Sequence, residues 1–328
     1  MATPVLEIRG LTLALPGEGP ALAVDDLSLS LERGGALGLV GESGCGKTLL
    51  ALSVLRLLPA GLRITSGQVL FEGRDLLALP EAGLREVRGR RIAMVFQEPH
   101  TSLNPVLTVG EQIAEAVRLH RSAGRADAGA AAVEALRAVG IPDPERAARS
   151  FPHQLSGGMR QRVVVAMALS CQAEVLLADE PTTALDATVQ AQLLSLLGRL
   201  RAERPLSLLL ISHDLPLVSQ FCEEVAVMYA GRVVEQGPAS VLLSRPRHPY
   251  TDALGKALPR SLPREPGTPR PPLRAIAGCA PQAPLPGCAF APRCSRASAE
   301  CVRARPPLRE FAPGCRVACV HPLDEGTT

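Results

Sequence analysis

Gly41-Glu42-Ser43-Gly44-Cys45-Gly46-Lys47-Thr48 follows the unbroken apolar run Ala36 to Val40 and leads into Thr48 to Leu58, a stretch with helical patterning. A buried strand, a loop of the form GxxxxGK[ST] and a helix, in that order, make a phosphate-binding P-loop. Its glycines let successive backbone N–H groups turn inward around a triphosphate, and the helix N-terminus behind them adds partial positive charge. In such a loop Lys47 reaches the β- and γ-phosphates and the Thr48 hydroxyl binds Mg²⁺.

Composition sharpens that reading, because lysine occurs only at Lys47 and Lys256 in a chain whose other cationic residues are arginines. A compact ammonium enters a tight phosphate cradle where a planar guanidinium fits poorly. Cys45 lies at a helix N-terminus. That position predicts a depressed thiol pKa and oxidation-sensitive nucleotide binding, unless the loop simply accepts any small residue there.

The 328 residues suffice for one large α/β domain and a smaller appendage. A net charge of +3 spread along the sequence and 2% aromatic residues without tryptophan leave neither a polyanion footprint nor stacking platforms, which argues against a nucleic-acid partner. Met1 to Glu7 lacks the basic and long apolar segments of a secretory signal, so a cytoplasmic location is expected. Arg56 interrupts the apolar stretch Leu49 to Leu62, and Gln172 and Glu174 interrupt Val163 to Leu177, so neither reaches the roughly 20 residues of a membrane span. Any membrane association is therefore expected to go through another protein.

Short apolar runs at Val5 to Ile8, Ala36 to Val40, Arg91 to Phe96, Val175 to Ala178, Ser207 to Ser212 and Val225 to Tyr229 read as strands. Helical patterns at Thr48 to Leu58 and Thr188 to Arg204 between them predict a mainly parallel sheet covered on both faces. The alanine-rich region from about Glu98 to Gln154, helical in Val109 to His120 and Ala126 to Val139, reads as an insertion; with the helix that follows it spans about 98–165. From Arg245 proline becomes frequent. Residues 259–274 predict an extended linker, and a cysteine-rich tail, 279–323, lies beyond it.

The run Val175-Leu176-Leu177-Ala178-Asp179-Glu180 ends a buried strand in two carboxylates, which are costly there unless they meet a cation or do chemistry. Asp179 is placed to hold Mg²⁺, and Glu180 to polarise the water that attacks the γ-phosphate. Between the two motifs stands Leu155-Ser156-Gly157-Gly158-Met159-Arg160-Gln161, an N-cap and a permissive turn opening a helix that runs through Ser170.

The P-loop, this serine–glycine loop and the Asp179–Glu180 strand end together resemble the ATP-binding cassette (ABC) ATPases, over about Leu6 to Gly237. The resemblance implies a P-loop core of mainly parallel sheet plus antiparallel N-terminal strands, with an inserted helical subdomain. It implies that Ser156, Gly157, Gly158 and Gln161 form a signature loop completing the ATP site of a second cassette. Gln97 matches the glutamine loop that senses Mg²⁺ and the attacking water, and Asp186 in Ala184-Leu185-Asp186 matches the loop crossing the dimer interface. His213 matches the switch histidine at the γ-phosphate. Closing and reopening of such a pair over two ATP molecules drives a permease between inward- and outward-facing states. Such cassettes place an aromatic on adenine near Leu11 to Leu15; none stands here, so Leu15 is the expected adenine support.

Phe96-Gln97-Glu98-Pro99-His100-Thr101-Ser102-Leu103-Asn104-Pro105 and His248-Pro249-Tyr250-Thr251 resemble the oligopeptide, dipeptide and nickel importers, although Glu98 replaces a more typical aspartate. That implies a nucleotide-binding domain, 1–244, and a C-terminal extension, 245–328. It also implies a peripheral place on the cytoplasmic face of the membrane, with a paralogous ATPase or a second copy, two permease subunits and an extracytoplasmic peptide-binding protein. Nickel or another small solute is the alternative cargo; a non-transport ABC ATPase is the alternative class. The tail holds six of nine cysteines. Cys288, Cys294, Cys301 and Cys319 are spaced irregularly for zinc, and the density argues for a metal centre over disulfides in a reducing compartment, although zinc and metal-free thiols stay open. Resemblance to dipeptide-importer tails, some of which hold a [4Fe-4S] cluster, makes these four the expected cluster ligands, with Cys279 and Cys315 as competitors.

Overall fold

The computed structural model describes residues 4–15, 22–97, 102–183, 185–257, 275–281 and 285–323; the proline-rich segment expected as a linker lies outside them. Every strand read from an apolar run is present: β1 (Pro4–Ala14), β3 (Ala36–Val40), β6 (Ile92–Val95), β7 (Val175–Asp179), β8 (Ser207–Ser212) and β9 (Glu224–Tyr229). Local reading did not single out β2 (Leu22–Glu32), β4 (Arg63–Phe71), β5 (Arg74–Asp75), β10 (Arg232–Pro238), β11 (Arg309–Ala312) or β12 (Cys315–Val317).

The strands form two sheets. An antiparallel sheet runs β2-β1-β4-β5, and a larger one runs β11-β12-β10-β9-β3-β8-β7-β6. Within the latter, β9, β3, β8, β7 and β6 are mutually parallel. Side chains alternate across this sheet. Leu37 and Leu39 of β3, with Val175 and Leu177 of β7, join a core shared with the antiparallel sheet. Ala36, Val40, Leu176 and Ala178 join a second core beneath the helical part. Burial on both faces is why these strands read as continuous apolar runs.

The inserted region is helical at Val109–Arg121, Arg125–Ala138 and Pro144–Ala148. Thr108 caps the first helix: its hydroxyl accepts from Glu111 N–H, and the Glu111 carboxylate accepts from Thr108 N–H. The helix Gly157–Leu169 then returns the chain to β7.

The C-terminal tail joins the core sheet. β12 pairs antiparallel with β10, Glu235 opposite Val317 and Gln236 opposite Arg316, and β11 pairs outside it. Arg305 donates to Asp25 of β2 at 2.7 Å, tying the tail to the N-terminal sheet as well.

Candidate nucleotide site

Adjacent parallel strands deliver their following loops to one edge of the sheet. The P-loop follows β3, Gln97 follows β6, Asp179 and Glu180 end β7, and His213 follows β8. Four motifs separated by up to 172 positions in the chain are thereby gathered on one rim.

The P-loop turns into the helix Lys47–Val54 at Gly46, whose φ of 105° and close approach to Ala23 O, 2.3 Å from any added Cβ, admit only glycine. Lys47 is buried, and its ammonium donates to Gly41 O at 2.8 Å and Glu42 O at 3.0 Å, so the cation is held inside the loop. Thr48 opens to solvent at the helix start. Burial pushes the Asp179 carboxyl above its usual range, while the neighbouring Thr48 hydroxyl acts against that rise. Asp179 Oδ1 is buried without a hydrogen-bond partner. An unpaired acceptor beside a hydroxyl is a donor set suited to a hard divalent cation such as Mg²⁺.

Glu180 adopts a left-handed φ of 44°, an unfavourable backbone for a side chain with a Cβ. Its carboxylate is held from three sides. Gln97 Nε2 donates to Oε2 at 3.1 Å, Thr183 Oγ1 donates to the same oxygen at 2.8 Å, and His213 Nδ1 lies 3.4 Å from Oε1. Thr183 was not singled out from sequence; its signal was its position three residues beyond Glu180, where a turn folds it back.

Ser156 caps the helix Gly157–Leu169, its hydroxyl accepting from Met159 N–H at 3.3 Å, and both Ser156 and Gly157 are exposed. Gly158 packs against the helix Ala187–Glu203, where an added Cβ would stand 2.8 Å from Val189 Cγ1. Asp186 caps that helix through Val189 N–H at 2.9 Å. The serine–glycine loop and the Asp186 loop are therefore joined through one contact, whereas Gln161 is buried with its amide nitrogen unpartnered. Leu15 stands partly exposed at the end of β1.

One expectation changes, at Cys45. Burial pushes the Cys45 thiol up, more than the Lys47 ammonium beside it pulls it down, so the depressed pKa expected at a helix N-terminus is not found. Glu42, one of the P-loop residues Gly41 to Thr48 read as nucleotide-binding, turns its side chain to Arg293 of the tail, with Nη1–Oε2 at 2.7 Å and Nη2–Oε1 at 2.9 Å. Its backbone N–H donates to the Tyr250 hydroxyl at 2.8 Å. Neither partner was read from sequence as part of the site, because 208 and 251 positions separate them from Glu42.

Among the described residues no three His, Cys, Asp or Glu side chains close at single-ion distance. Cys288, Cys294, Cys301 and Cys319 nevertheless line one narrow cavity together with His248 and His321, while Cys279 lies exposed outside it. Burial raises the Cys288 thiol and pushes Cys319 up to about 11. Burial holds His248 neutral, its pKa down to about 3; Nδ1 accepts from Tyr250 N–H at 3.0 Å, and Nε2 is buried without a partner.

The ABC transporter family matches residues 24–183, and the oligopeptide/dipeptide transporter C-terminal region matches residues 234–301. A probable peptide ABC transporter ATP-binding protein, y4tR of Sinorhizobium fredii, is 49% identical over 96% of this chain and 94% of its own length. The oligopeptide transport ATP-binding protein OppD of Escherichia coli is 44% identical over 99% and 95%. A solved dimeric structure of MJ0796, a bacterial ABC transporter cassette, superposes with a TM-score of 0.64 at 27% identity, covering 71% of this chain and 98% of that one. The chain therefore belongs to the ABC transporter ATP-binding proteins, of the kind that carries the oligopeptide/dipeptide transporter C-terminal region.

Proposed function

We propose that this chain is the ATP-hydrolysing subunit that energises import of di- or oligopeptides. The observation that carries this reading is the Glu180 carboxylate, held by Gln97, Thr183 and His213 on the same sheet edge as the P-loop. Glu180 orients and polarises the attacking water, Gln97 and His213 position it against the γ-phosphate, and Lys47 with the P-loop N–H groups takes up developing charge. Thr48 and Asp179, assisted by Gln97, would hold Mg²⁺, which when bound would supply positive charge to the triphosphate. Leu15 supports the adenine.

Ser156 and Gly157 face the ATP of a second cassette, Gly158 and the buried Gln161 complete the same signature loop behind them, and the Asp186 loop lies against that partner. The exposed helix start at Ser156 is suited to this task, because unsatisfied N–H groups there favour an anion. The second cassette is a paralogue or another copy. Two permease subunits receive the motion through the segment after Gln97, and an extracytoplasmic peptide-binding protein delivers cargo to them. Among the described residues no helix is long and apolar enough to cross a membrane; in this reading the permeases hold the chain at the cytoplasmic face. Residues 1–244 act as the nucleotide-binding domain and 245–328 as the extension.

The four cysteines of the extension, Cys288, Cys294, Cys301 and Cys319, hold a [4Fe-4S] cluster in this reading. A four-iron cluster is wider than one ion, so its thiolates need not meet at single-ion distance. The unpartnered His248 Nε2 in the same cavity supports it, as a hydrogen-bond donor suited to a cluster sulfur. Anaerobic purification should yield about four irons and four acid-labile sulfides per chain. Zinc or no metal would refute the cluster while leaving the ATPase reading intact. Mild-detergent pull-down of the tagged chain should recover two multi-spanning permeases, a second ATPase and a peptide-binding protein; recovery with ribosomes or DNA would overturn import.

A further inference from the structure

Glu42 is the sole acidic residue within the P-loop octapeptide. A carboxylate there opposes a triphosphate at short range unless something cancels it. Arg293 does so from the tail. All five of its N–H donors are used: Nε on Ala277 O, Nη1 on Glu42 Oε2 and the Tyr229 hydroxyl, Nη2 on Glu42 Oε1 and Ile276 O. The side chain is 5% exposed, which makes the fork–fork pair a built contact and separates it from the chain's solvated surface pairs.

The main chain of Glu42 is held as well. Its N–H donates to the fully buried Tyr250, and its carbonyl accepts from Lys47. Tyr229, Tyr250 and Phe290 pack together with ring centroids 4.6 to 5.4 Å apart, bracing the hydroxyl and the guanidinium from behind.

We propose that Arg293 is a positioning residue for ATP, acting through Glu42: the guanidinium neutralises the carboxylate and turns it out of the phosphate cradle. The tail thereby sets the charge that the triphosphate meets. This rests on the ATP-site reading, which Mg²⁺–ATP binding by the unmodified full chain tests on its own.

The experiment is a double-variant cycle on ATP dissociation constants, measured calorimetrically with full-length protein whose folding is followed by far-ultraviolet circular dichroism. Arg293→Gln should weaken ATP binding on the order of tenfold, since it frees a unit charge beside the phosphates. Arg293→Lys should recover part of that loss. Glu42→Gln should tighten binding, and Arg293→Gln combined with Glu42→Gln should return affinity to within about threefold of the unmodified chain. A merely structural role for Arg293 predicts no rescue by Glu42→Gln, and a double variant as weak as Arg293→Gln overturns the proposal. Should Arg293→Gln fail to fold, Glu42→Gln alone decides: tighter ATP binding supports the assignment, and weaker binding overturns it.

Discussion

Replacing Glu180 by Gln separates chemistry from architecture at this site. The amide is isosteric, and its oxygen can keep both hydrogen bonds now made to Oε2, from Gln97 at 3.1 Å and Thr183 at 2.8 Å. The left-handed φ of 44° is equally unfavourable for either residue, so backbone strain does not change. What is lost is the basic oxygen facing His213. A positioned general base contributes about 10²- to 10⁴-fold, equivalent to ~2.7 to ~5.4 kcal/mol of barrier. The assembled transporter carrying Glu180→Gln should therefore hydrolyse ATP at least about a hundredfold more slowly. Its melting temperature should stay within about 2 °C and its ATP affinity within about threefold of the unmodified complex. Phosphate release under steady state, calorimetric ATP binding and thermal melting measure the three quantities. Turnover within about threefold of the unmodified complex would refute the assignment of Glu180 as base.

Tyr250→Phe strands the Glu42 N–H in a part-buried setting and should cost about 1 kcal/mol in urea unfolding, with weaker ATP binding in parallel. Cys45 has its pKa raised by burial, so the native chain should alkylate with iodoacetamide more slowly than free cysteine at neutral pH. The rate should climb as pH rises toward the elevated pKa; a fast reaction at pH 7 would contradict the burial. Gly158→Val drives side-chain atoms into Val189, already 2.8 Å from a single added Cβ, and should cost about 1 to 3 kcal/mol by denaturant titration.

The parallel core and its rim were legible in sequence for a physical reason. Strands buried on both faces leave uninterrupted apolar runs, and the candidate site residues Lys47, Gln97, Asp179, Glu180 and His213 stand at or shortly after the ends of four of them. The remaining strands lack that signature. β2 contains Asp25 and Asp26, the latter at a left-handed φ of 50°, and its pairing with β1 is broken by register shifts. β4 exposes most of its first half, and β11 and β12 have four and three residues and gain their form from pairing beside β10. Cys45 misled because a helix end and a buried pocket act oppositely on a thiol, and only the fold says which prevails. His248 and Tyr250 were recognised as a subfamily marker, but their work, one facing the cysteine cavity and one bracing the P-loop, depends on contacts across the whole chain.

The bond between Glu42 and Arg293 also orders events in time. Glu42 leaves the ribosome 251 positions ahead of Arg293, so the P-loop emerges before its shoulder can be fastened. Nascent and prematurely terminated chains thus carry the phosphate-binding motif without the clasp that steadies it. The P-loop is a local motif whose final form is set by a contact made far later in the chain, when Arg293 reaches Glu42.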